Sequence, residues 1–93
     1  MREFDRKFGV DFLSSVPLSP GVYRFLGKEG EILYVGKAIR LRRRLQQYRN
    51  ASRLKRHQKM RRIFRAAAKI EFEVCESHRE ACLRELELIQ ALR

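Results

Sequence analysis

Four side chains in the first half of the chain have the types and spacing that phosphodiester chemistry needs. Tyr23 ends a Gly-Val-Tyr triplet, and Tyr34 opens a Tyr-Val-Gly triplet after ten intervening residues. Lys37 follows the second triplet directly, and Arg44 lies within a run of arginines shortly after it. An arginine fork matches the geometry of a phosphate, and positioned phenols can transfer protons. These residues predict a site for a phosphodiester that still lacks a metal-binding carboxylate.

Glu85, near the far end of the chain, is the best candidate for that carboxylate. Its neighbours on the predicted final helix are all apolar, namely Ala81, Leu88, Ile89 and Leu92. A carboxylate turned toward a core is costly unless a cation compensates it. It is therefore either a metal ligand or one half of an internal salt bridge to an arginine. Mg²⁺ typically takes one or two carboxylates and completes its shell with waters and phosphate oxygens, so we predict Mg²⁺ or Mn²⁺ at Glu85.

Other polar residues are expected to have structural roles. Ser77 and Glu80 have the spacing of a capping box at the start of the final helix, and Glu80 is also placed to pair with Arg84 one turn later. His57 and His78 have no partner at catalytic or metal spacing, so both are expected at the surface.

The elements that must position these residues can be predicted from hydrophobic periodicity and turn signals. Two strands joined by a glycine-bounded turn form a hairpin, and a later alternating segment predicts a third strand. Helical stripes include Leu41, Leu45 and Tyr48, and Ser52 is placed to cap the helix that follows. The predicted strands are 21–26, 31–36 and 70–76, and the predicted helices are 39–49, 53–68 and 78–93.

This β-β-α-α-β-α order predicts an α+β fold, in which a small three-stranded antiparallel sheet is flanked by helices. Residues 1–16 are expected to be a lead-in segment, either loose or a short helix with Phe4, Phe8, Phe12 and Leu13 on one side. Residues 17–93 then form a single domain, which suits the length of 93 residues.

The positive charge is concentrated in the middle of the chain. The net charge is +11, and the stretch from Ile32 to Ile70 contains no acidic residue. Such a block repels itself unless it meets a polyanion, which favours nucleic acid and leaves an anionic membrane surface as the alternative. The residues predicted to bind DNA are Arg40, Arg43, Arg53, Lys55, Arg56, Lys59 and Arg62.

Composition excludes several other classes. No apolar run approaches the roughly 20 residues of a membrane span, and the first residues lack the apolar core of a signal peptide. Cys75 and Cys82 are too few for a disulfide framework and lack metal-ligand spacing. We therefore predict a cytoplasmic monomer with reduced thiols and no membrane partner.

Taken together, these motifs resemble the GIY-YIG nuclease domain, in the variant found in the excinuclease C subunits of bacterial nucleotide-excision repair. The resemblance covers about residues 17–93, with several motifs in the same order. The matching positions are Pro20–Tyr23, Tyr34–Ala38, Leu41, Arg44–Leu45, Tyr48, Glu80–Ala81, Glu85 and Leu88–Ile89.

The resemblance implies roles for individual residues. Tyr23 takes the place of the general base for the attacking water, and Tyr34 orients water and phosphate. Arg44 takes the place of the catalytic arginine, and Glu85 that of the metal-binding glutamate. Lys37 and Tyr48 take supporting positions. A phenol titrates near pH ~10, so neighbouring cations must lower the pKa of Tyr23 or relay its proton.

The function implied is a metal-dependent DNA endonuclease that nicks one strand in DNA repair or processing. Domains of this family continue past the last helix into a proline-containing tail with an asparagine that lines the site, whereas this sequence stops at Arg93. That asparagine is therefore expected to be absent, or the 93 residues are the front of a longer protein with a further domain or repair partner. A non-catalytic DNA- or RNA-binding module of the same fold and an RNA-directed nuclease are the alternatives.

Overall fold

A three-stranded antiparallel sheet lies at the centre of the computed structural model, which describes residues 1–92. Strand β1 (Gly21–Leu26) pairs with β2 (Ile32–Ala38) in a hairpin that places Tyr23 opposite Gly36. The turn is closed by a hydrogen bond from the Gly27 amide to the Glu31 carbonyl (2.8 Å). Gly30 has a φ of 83°, a left-handed conformation that glycine adopts without steric cost.

Strand β3 (Lys69–Val74) pairs antiparallel with the other side of β1, so the strand order is β2-β1-β3. The predicted α+β class and the antiparallel sheet are confirmed. β1 is the central strand, and β2 lies at an edge. Side chains alternate between the two faces of a strand, and therefore neighbouring residues of one motif face opposite sides of the sheet.

Three helices cover one face of the sheet: α1 (Glu3–Phe8), α2 (Leu41–Arg49) and α3 (Gln58–Ala66). Their apolar stripes pack on Tyr23 and Phe25 from β1 and form the larger core. Phe4 of α1 is 1% exposed and contacts Phe64 of α3 edge-on, at 5.8 Å between ring centroids. The short helix expected in the lead-in segment is therefore present and belongs to the core. The division between residues 1–16 and 17–93 remains a prediction.

The fourth helix, α4 (His78–Ala91), covers the opposite face of the sheet. The hydroxyl of Ser77 accepts a hydrogen bond from the Glu80 amide (3.1 Å), which confirms the predicted cap. The core beneath α4 is small and consists of Val22, Cys75 and Ala81 with Leu88 packed against them.

Three local predictions are wrong. The second helix begins at Leu41, because Arg40 before it is extended (φ −134°, ψ 106°). The third begins at Gln58, after a 3₁₀ turn, and Ser52 does not cap it. The Ser52 hydroxyl instead lies 3.0 Å from His57 Nδ1 and accepts from the Leu54 amide.

The predicted pair between Glu80 and Arg84 does not form either. Arg84 is turned toward the sheet, where its Nε donates to Glu73 of β3 at 2.8 Å. Because Arg84 belongs to α4 and Glu73 to β3, this ion pair joins the helix to the sheet. Both cysteines are free, and no helix within residues 1–92 is long and apolar enough to cross a membrane.

Candidate active site

Tyr23, Tyr48 and Arg44 form a hydrogen-bonded group, here called the phenol cluster, on the face of the sheet covered by α2. Both tyrosines are 1% exposed, and their hydroxyls lie 3.0 Å apart. Arg44 Nε donates to the Tyr23 hydroxyl at 3.3 Å. Phe25 packs against both tyrosine rings and holds them in place. The two phenols and the arginine are therefore fixed before any ligand arrives.

The glycines of the two triplets make room for this cluster. Gly36 lies across the hairpin from Tyr23, and a β-carbon at Gly36 would overlap the ring and hydroxyl of that tyrosine. A β-carbon at Gly21 would overlap the Glu73 carbonyl and the side chain of Leu41. The spacing of glycine and tyrosine in the motif is thus a packing requirement of the hairpin and of α2.

Burial controls the ionisation of the phenols. Removal from water raises the pKa of Tyr23, although its hydrogen bonds to Tyr48 and Arg44 oppose part of that rise. Burial also raises the pKa of Tyr48, and the neighbouring Tyr23 adds to the effect. Both hydroxyls are therefore protonated at neutral pH. Arg44 does lower the pKa of Tyr23, but burial outweighs its effect, so the net lowering expected from nearby cations is absent. The other expected route, relay of the proton, stays a prediction.

Arg44 keeps its positive charge in this setting. Burial alone lowers the pKa of its guanidinium, but the hydrogen bond to Tyr23 and the surrounding phenols raise it, and the net change is upward. The cluster therefore presents a fixed cation beside two neutral hydroxyls.

Tyr34 lies on the same face and extends the cluster toward α3. Its ring centroid is 6.3 Å from that of Tyr23, and its side chain is partly exposed. The Lys59 ammonium of α3 lies 5.5 Å from the Tyr34 ring centroid, a cation–π distance. Lys59 was predicted as a DNA-binding residue, and the structure places it beside the site.

Lys37 and Glu85 form an ion pair on the opposite face of the sheet. Lys37 follows Gly36, so its side chain points toward α4, where its Nζ lies 3.6 Å from Glu85 Oε1. The Lys37 side chain is 43% exposed and that of Glu85 is 21% exposed. The salt bridge considered for Glu85 is therefore present, with a lysine as its partner instead of an arginine.

The two halves of the site meet because β2 is an edge strand. Lys37 and Arg44 line the same cleft, of about 390 Å³, together with Arg40 and Arg43. A ligand in this cleft reaches the phenol cluster through Arg44 and the ion pair through Lys37. Of the predicted catalytic residues, Lys37 and Arg44 line the cleft itself. Glu85 adjoins it through Lys37, and Tyr23 and Tyr48 adjoin it through Arg44.

The donor set suits a magnesium ion held by a single protein carboxylate. Glu85 supplies a hard oxygen ligand that already has a cation beside it. Within residues 1–92 there is no group of three or more His, Cys, Asp or Glu side chains that could hold a metal. Mg²⁺ commonly keeps several waters and binds substrate phosphate oxygens, so one carboxylate is sufficient.

The predicted DNA-binding residues divide into two sets. Arg40 and Arg43 line the cleft, while Arg56 and Lys59 line a neighbouring concavity of about 510 Å³ that shares Arg44 with it. The second set lies elsewhere, on the outer side of α3, and consists of Arg53, Lys55 and Arg62. None of these seven residues pairs with an acidic side chain in the described part of the chain.

Two other arginines of the basic stretch have structural partners. Arg49 makes two hydrogen bonds of 2.8 Å to Asp5 and ties α2 to α1. Arg42 Nε donates to the carbonyl of Val16 at 2.7 Å. These contacts explain why the charge of the stretch exceeds the charge that faces the cleft.

Gln47 is a residue of the site that the sequence reasoning missed. Its Oε1 accepts a hydrogen bond from Arg44 Nη1 at 2.6 Å, and it lines both concavities. The signal was its position three residues after Arg44 on one helix, a spacing at which side chains meet.

The histidines have different surroundings. His78 is exposed, as predicted, and lines the cleft. His57 is partly buried, its Nδ1 accepts from the Ser52 amide at 3.0 Å, and it lines the neighbouring concavity.

Comparisons with known proteins agree with this geometry. The model of the UvrC-like GIY-YIG domain matches residues 19–93. UvrABC system protein C of Pseudothermotoga lettingae is 48% identical over 73 residues, which cover 78% of this chain and 13% of that protein. The corresponding protein of Legionella pneumophila (strain Lens) is 43% identical over 82 residues, or 88% of this chain and 13% of its own length.

A solved structure extends the likeness to the fold. The GIY-YIG N-terminal endonuclease domain of UvrC from Thermotoga maritima, bound to its catalytic magnesium, is 37% identical. It superimposes with a TM-score of 0.77 over 98% of this chain and 92% of that domain. The chain spans about 13% of the length of the curated relatives it matches. The motifs, the sheet and these matches agree: the chain belongs to the UvrC-like GIY-YIG domain family.

Proposed function

We propose that this chain is the catalytic domain of a metal-dependent DNA endonuclease, which hydrolyses one phosphodiester bond at a time in DNA repair. The observation that supports this most directly is the meeting of two groups at the edge of β2. Arg44, hydrogen-bonded to a buried phenol, lines the same cleft as Lys37, which is paired with the carboxylate of Glu85. A cation, neutral hydroxyls and an oxygen ligand for a metal are the groups that phosphodiester hydrolysis needs.

Arg44 is the phosphate-binding residue in this proposal. Its Nε and Nη1 are occupied by Tyr23 and Gln47, which orient the guanidinium plane. The remaining N–H groups can donate to a non-bridging phosphate oxygen, and the charge that develops there in the transition state strengthens these bonds. Gln47 acts on the substrate only through Arg44 and is a positioning residue.

Tyr23 acts as a neutral hydroxyl. Its oxygen accepts from Arg44, so its own proton is free to bond to Tyr48 or to a water in the cleft. The raised pKa argues against a stable phenolate at neutral pH. We therefore assign Tyr23 to orienting the attacking water and relaying its proton. Tyr34, beside it and more exposed, helps to hold the water and the phosphate.

Glu85 would hold the metal ion, with Mg²⁺ as the first candidate and Mn²⁺ as the second. When bound there, the ion would supply Lewis-acid polarisation of the phosphate and stabilise the departing 3′ oxygen. Lys37 would pair with the carboxylate until the ion enters, and its ammonium would then be able to turn toward a phosphate.

The substrate is DNA and the product is a nick. The cleft is flanked by Arg40 and Arg43 on one side and by Arg56 and Lys59 on the other, a path for a phosphate backbone. Within residues 1–92 there is one set of site residues, which predicts one cut per binding event. We further propose that the domain acts as a monomer and works within a larger repair protein, as its relatives' lengths suggest.

A nicking assay tests the proposal. Supercoiled plasmid is incubated with the chain in Mg²⁺, Mn²⁺ or EDTA, beside a matched single-stranded DNA and RNA pair. We expect open-circle product that needs the metal, and no product with Arg44→Gln. The control variant is Arg79→Gln, which removes one exposed arginine that lines none of the concavities. Tight DNA binding without metal-dependent cleavage would favour the non-catalytic module, and preferential cleavage of the RNA strand would favour the RNA-directed nuclease.

A further inference from the structure

The described chain has a concavity larger than the cleft. It measures about 690 Å³ and lies on the outer side of α3 and the 3₁₀ turn before it. Five cations line it, and the name α3 basin is used for this set: Arg53, Lys55, Arg61, Arg62 and Arg65.

The periodicity of α3 explains why the basin is separate from the cleft. Gln58, Arg61, Arg62 and Arg65 follow the i, i+3, i+4, i+7 spacing of one helix face. Met60, Ile63 and Phe64 form the opposite face and pack on the core. Lys59 lies between the two faces and reaches Tyr34. The basin therefore points away from the sheet, while the concavity of about 510 Å³ that Lys59 and Met60 line runs along one flank of the helix. No residue of α3 lines the cleft itself.

Most of the cations of the basin form no ion pair within residues 1–92. In residues 1–92, Arg65 pairs with Glu3 at 2.9 Å, but the other four cations have no acidic partner. Arg49 and Arg84, which tie elements of the fold together, do have acidic partners. Clustered like charges repel, so a surface of this kind favours an anionic ligand with several charges.

The dimensions suit a nucleic acid better than a small anion. The nine residues of α3 span about 13.5 Å at 1.5 Å per residue. Duplex DNA carries about eight phosphates over that length, at one charge per roughly 1.7 Å. A single phosphate would contact only one or two of the five cations. Leu54, which is 53% exposed at the wall of the basin, offers an apolar contact for a sugar.

We propose that the α3 basin is a second DNA-binding site, which holds the phosphate backbone of duplex outside the segment being cut. This proposal rests on the proposed function in one respect, namely that the polyanion bound in the basin is the same DNA whose strand enters the cleft. Binding and cleavage are then separable, because the basin contributes affinity and the cleft contributes chemistry.

The test compares two double variants that each lower the net charge from +11 to +9. Lys55→Gln/Arg62→Gln removes two exposed cations of the basin. Lys28→Gln/Arg79→Gln is the control, because both residues are exposed, and neither lines the basin, the cleft or the concavity beside it. Neither forms an ion pair in the described chain. Thermal unfolding first establishes that both variants fold like the parent.

Binding of a short fluorescein-labelled duplex of unrelated sequence is measured in EDTA over about 50–200 mM salt. We expect the basin variant to bind at least about tenfold more weakly at 0.1 M salt, with a log–log salt slope reduced by about 1.8, or 0.9 for each lost phosphate contact. The control should stay within about twofold of the parent. Equal losses in the two variants would show that only net charge matters and would overturn the proposal.

Two further measurements complete the test. Single-turnover cleavage in Mg²⁺ is measured over a range of enzyme concentrations. The basin variant should need at least about tenfold more enzyme to reach half its maximal rate, and an unchanged half-saturating concentration would overturn the proposal. Phosphatidylserine vesicles are the second probe. If the basin variant loses vesicle binding and keeps DNA binding, the basin is a membrane site and the proposal is wrong. Because duplex binding is measured without metal, it tests the basin even if no cleavage occurs.

Discussion

The two faces of the sheet are built in different ways. On the face covered by α1, α2 and α3, Tyr23 and Tyr48 are buried, and their hydroxyls are satisfied by each other and by Arg44. On the face covered by α4, the core is small, and Lys37 and Glu85 form a partly exposed ion pair. One half of the site is fixed by packing, and the other half is held by charge.

This difference separates two tasks. The buried half has little freedom to adjust, so it suits groups whose geometry must be set before the substrate binds. The exposed half can exchange partners at little cost, because an ion pair of this kind contributes about 0–1 kcal/mol. A metal ion that replaces the Lys37 ammonium beside Glu85 needs the second kind of environment. Changes on the two faces should therefore have different consequences for stability and activity.

The largest effect is expected for Glu85→Gln. The change keeps the size of the side chain but removes the charge that a divalent ion needs, so plasmid nicking in Mg²⁺ should fall at least about 10²-fold. DNA binding should persist, and chemical denaturation should show a loss of stability below about 1 kcal/mol.

The matched control is Glu80→Gln on the same helix. Glu80 lies in the capping turn, and its carboxylate accepts from the Glu76 amide. We expect at most about 1 kcal/mol of lost stability and full cleavage. Equal cleavage by the two variants would place the metal elsewhere and remove the functional contrast between the faces.

Gly36→Ala should damage the buried half through packing. The added methyl group meets the ring of Tyr23, which cannot retreat because Phe25 and Tyr48 enclose it. We expect a loss of about 1–3 kcal/mol in the free energy of unfolding, as for other overpacked cores. Gly30→Ala, in the turn of the same hairpin, should lose roughly 1 kcal/mol from backbone conformation alone. If Gly36→Ala is as stable as the parent, the phenol cluster is looser than its contacts indicate.

The buried phenols predict a loss of stability at high pH. Their pKa values are raised in the folded chain, so above pH about 10 the unfolded chain releases tyrosine protons that the folded chain keeps. The unfolded state is then favoured, and stability present below pH 10 is lost as the pH rises. Denaturation with urea between pH 8 and 11 would measure this slope.

The Tyr23→Phe/Tyr48→Phe variant is the reference for that slope, because titration of lysines also changes the charge repulsion at high pH. A steeper fall in the parent than in the variant is expected. Parallel curves would mean that the two hydroxyls ionise as freely in the fold as in water.

The smallest effect is expected for Lys37→Gln. If Lys37 and a metal ion compete for the carboxylate, removing the ammonium should raise Mg²⁺ affinity by up to about fivefold, the equivalent of an exposed ion pair. Titration calorimetry with Mg²⁺ alone would measure it. A fall in affinity would show that Lys37 orients Glu85 for the metal and does not compete with it.

The sequence predicted the parts of the fold that periodicity and turn chemistry control. The hairpin, the third strand and the cap at Ser77 are present as predicted. β2 ends two residues later and β3 two residues earlier than predicted. The predicted start of α3 was wrong, because the polar residues from position 53 onward also fit a helix. The structure shows instead that Ser52 and His57 hold the preceding turn together. The side-chain contact between Ser52 and His57 therefore determines where this helix begins.

The candidate site was predicted unevenly for a similar reason. The motif spacing singled out the tyrosines and Arg44, and apolar neighbours singled out Glu85, while the roles of all these residues stay predictions. Alternation along β2 puts Tyr34 and Lys37 on opposite faces, but the predicted strand ended at residue 36, before Lys37. The raised pKa of Tyr23 could not be predicted from the sequence either, because it depends on burial of the side chain beneath α2. Charge counting found the basic stretch, but it could not separate the cations of the cleft from those of the α3 basin or from Arg49.

The division of the site between the two faces also bears on how the chain folds. Tyr23 and Gly36 are brought together by a hairpin, which needs only local contacts, whereas Lys37 meets Glu85 across 48 residues of chain. Contacts between distant residues form later when loop closure limits folding. In refolding experiments the fluorescence of the buried tyrosines should therefore recover before Mg²⁺ binding, and the reverse order would contradict this sequence of events. A partly folded chain would then bind DNA through its basic helices before it could cut.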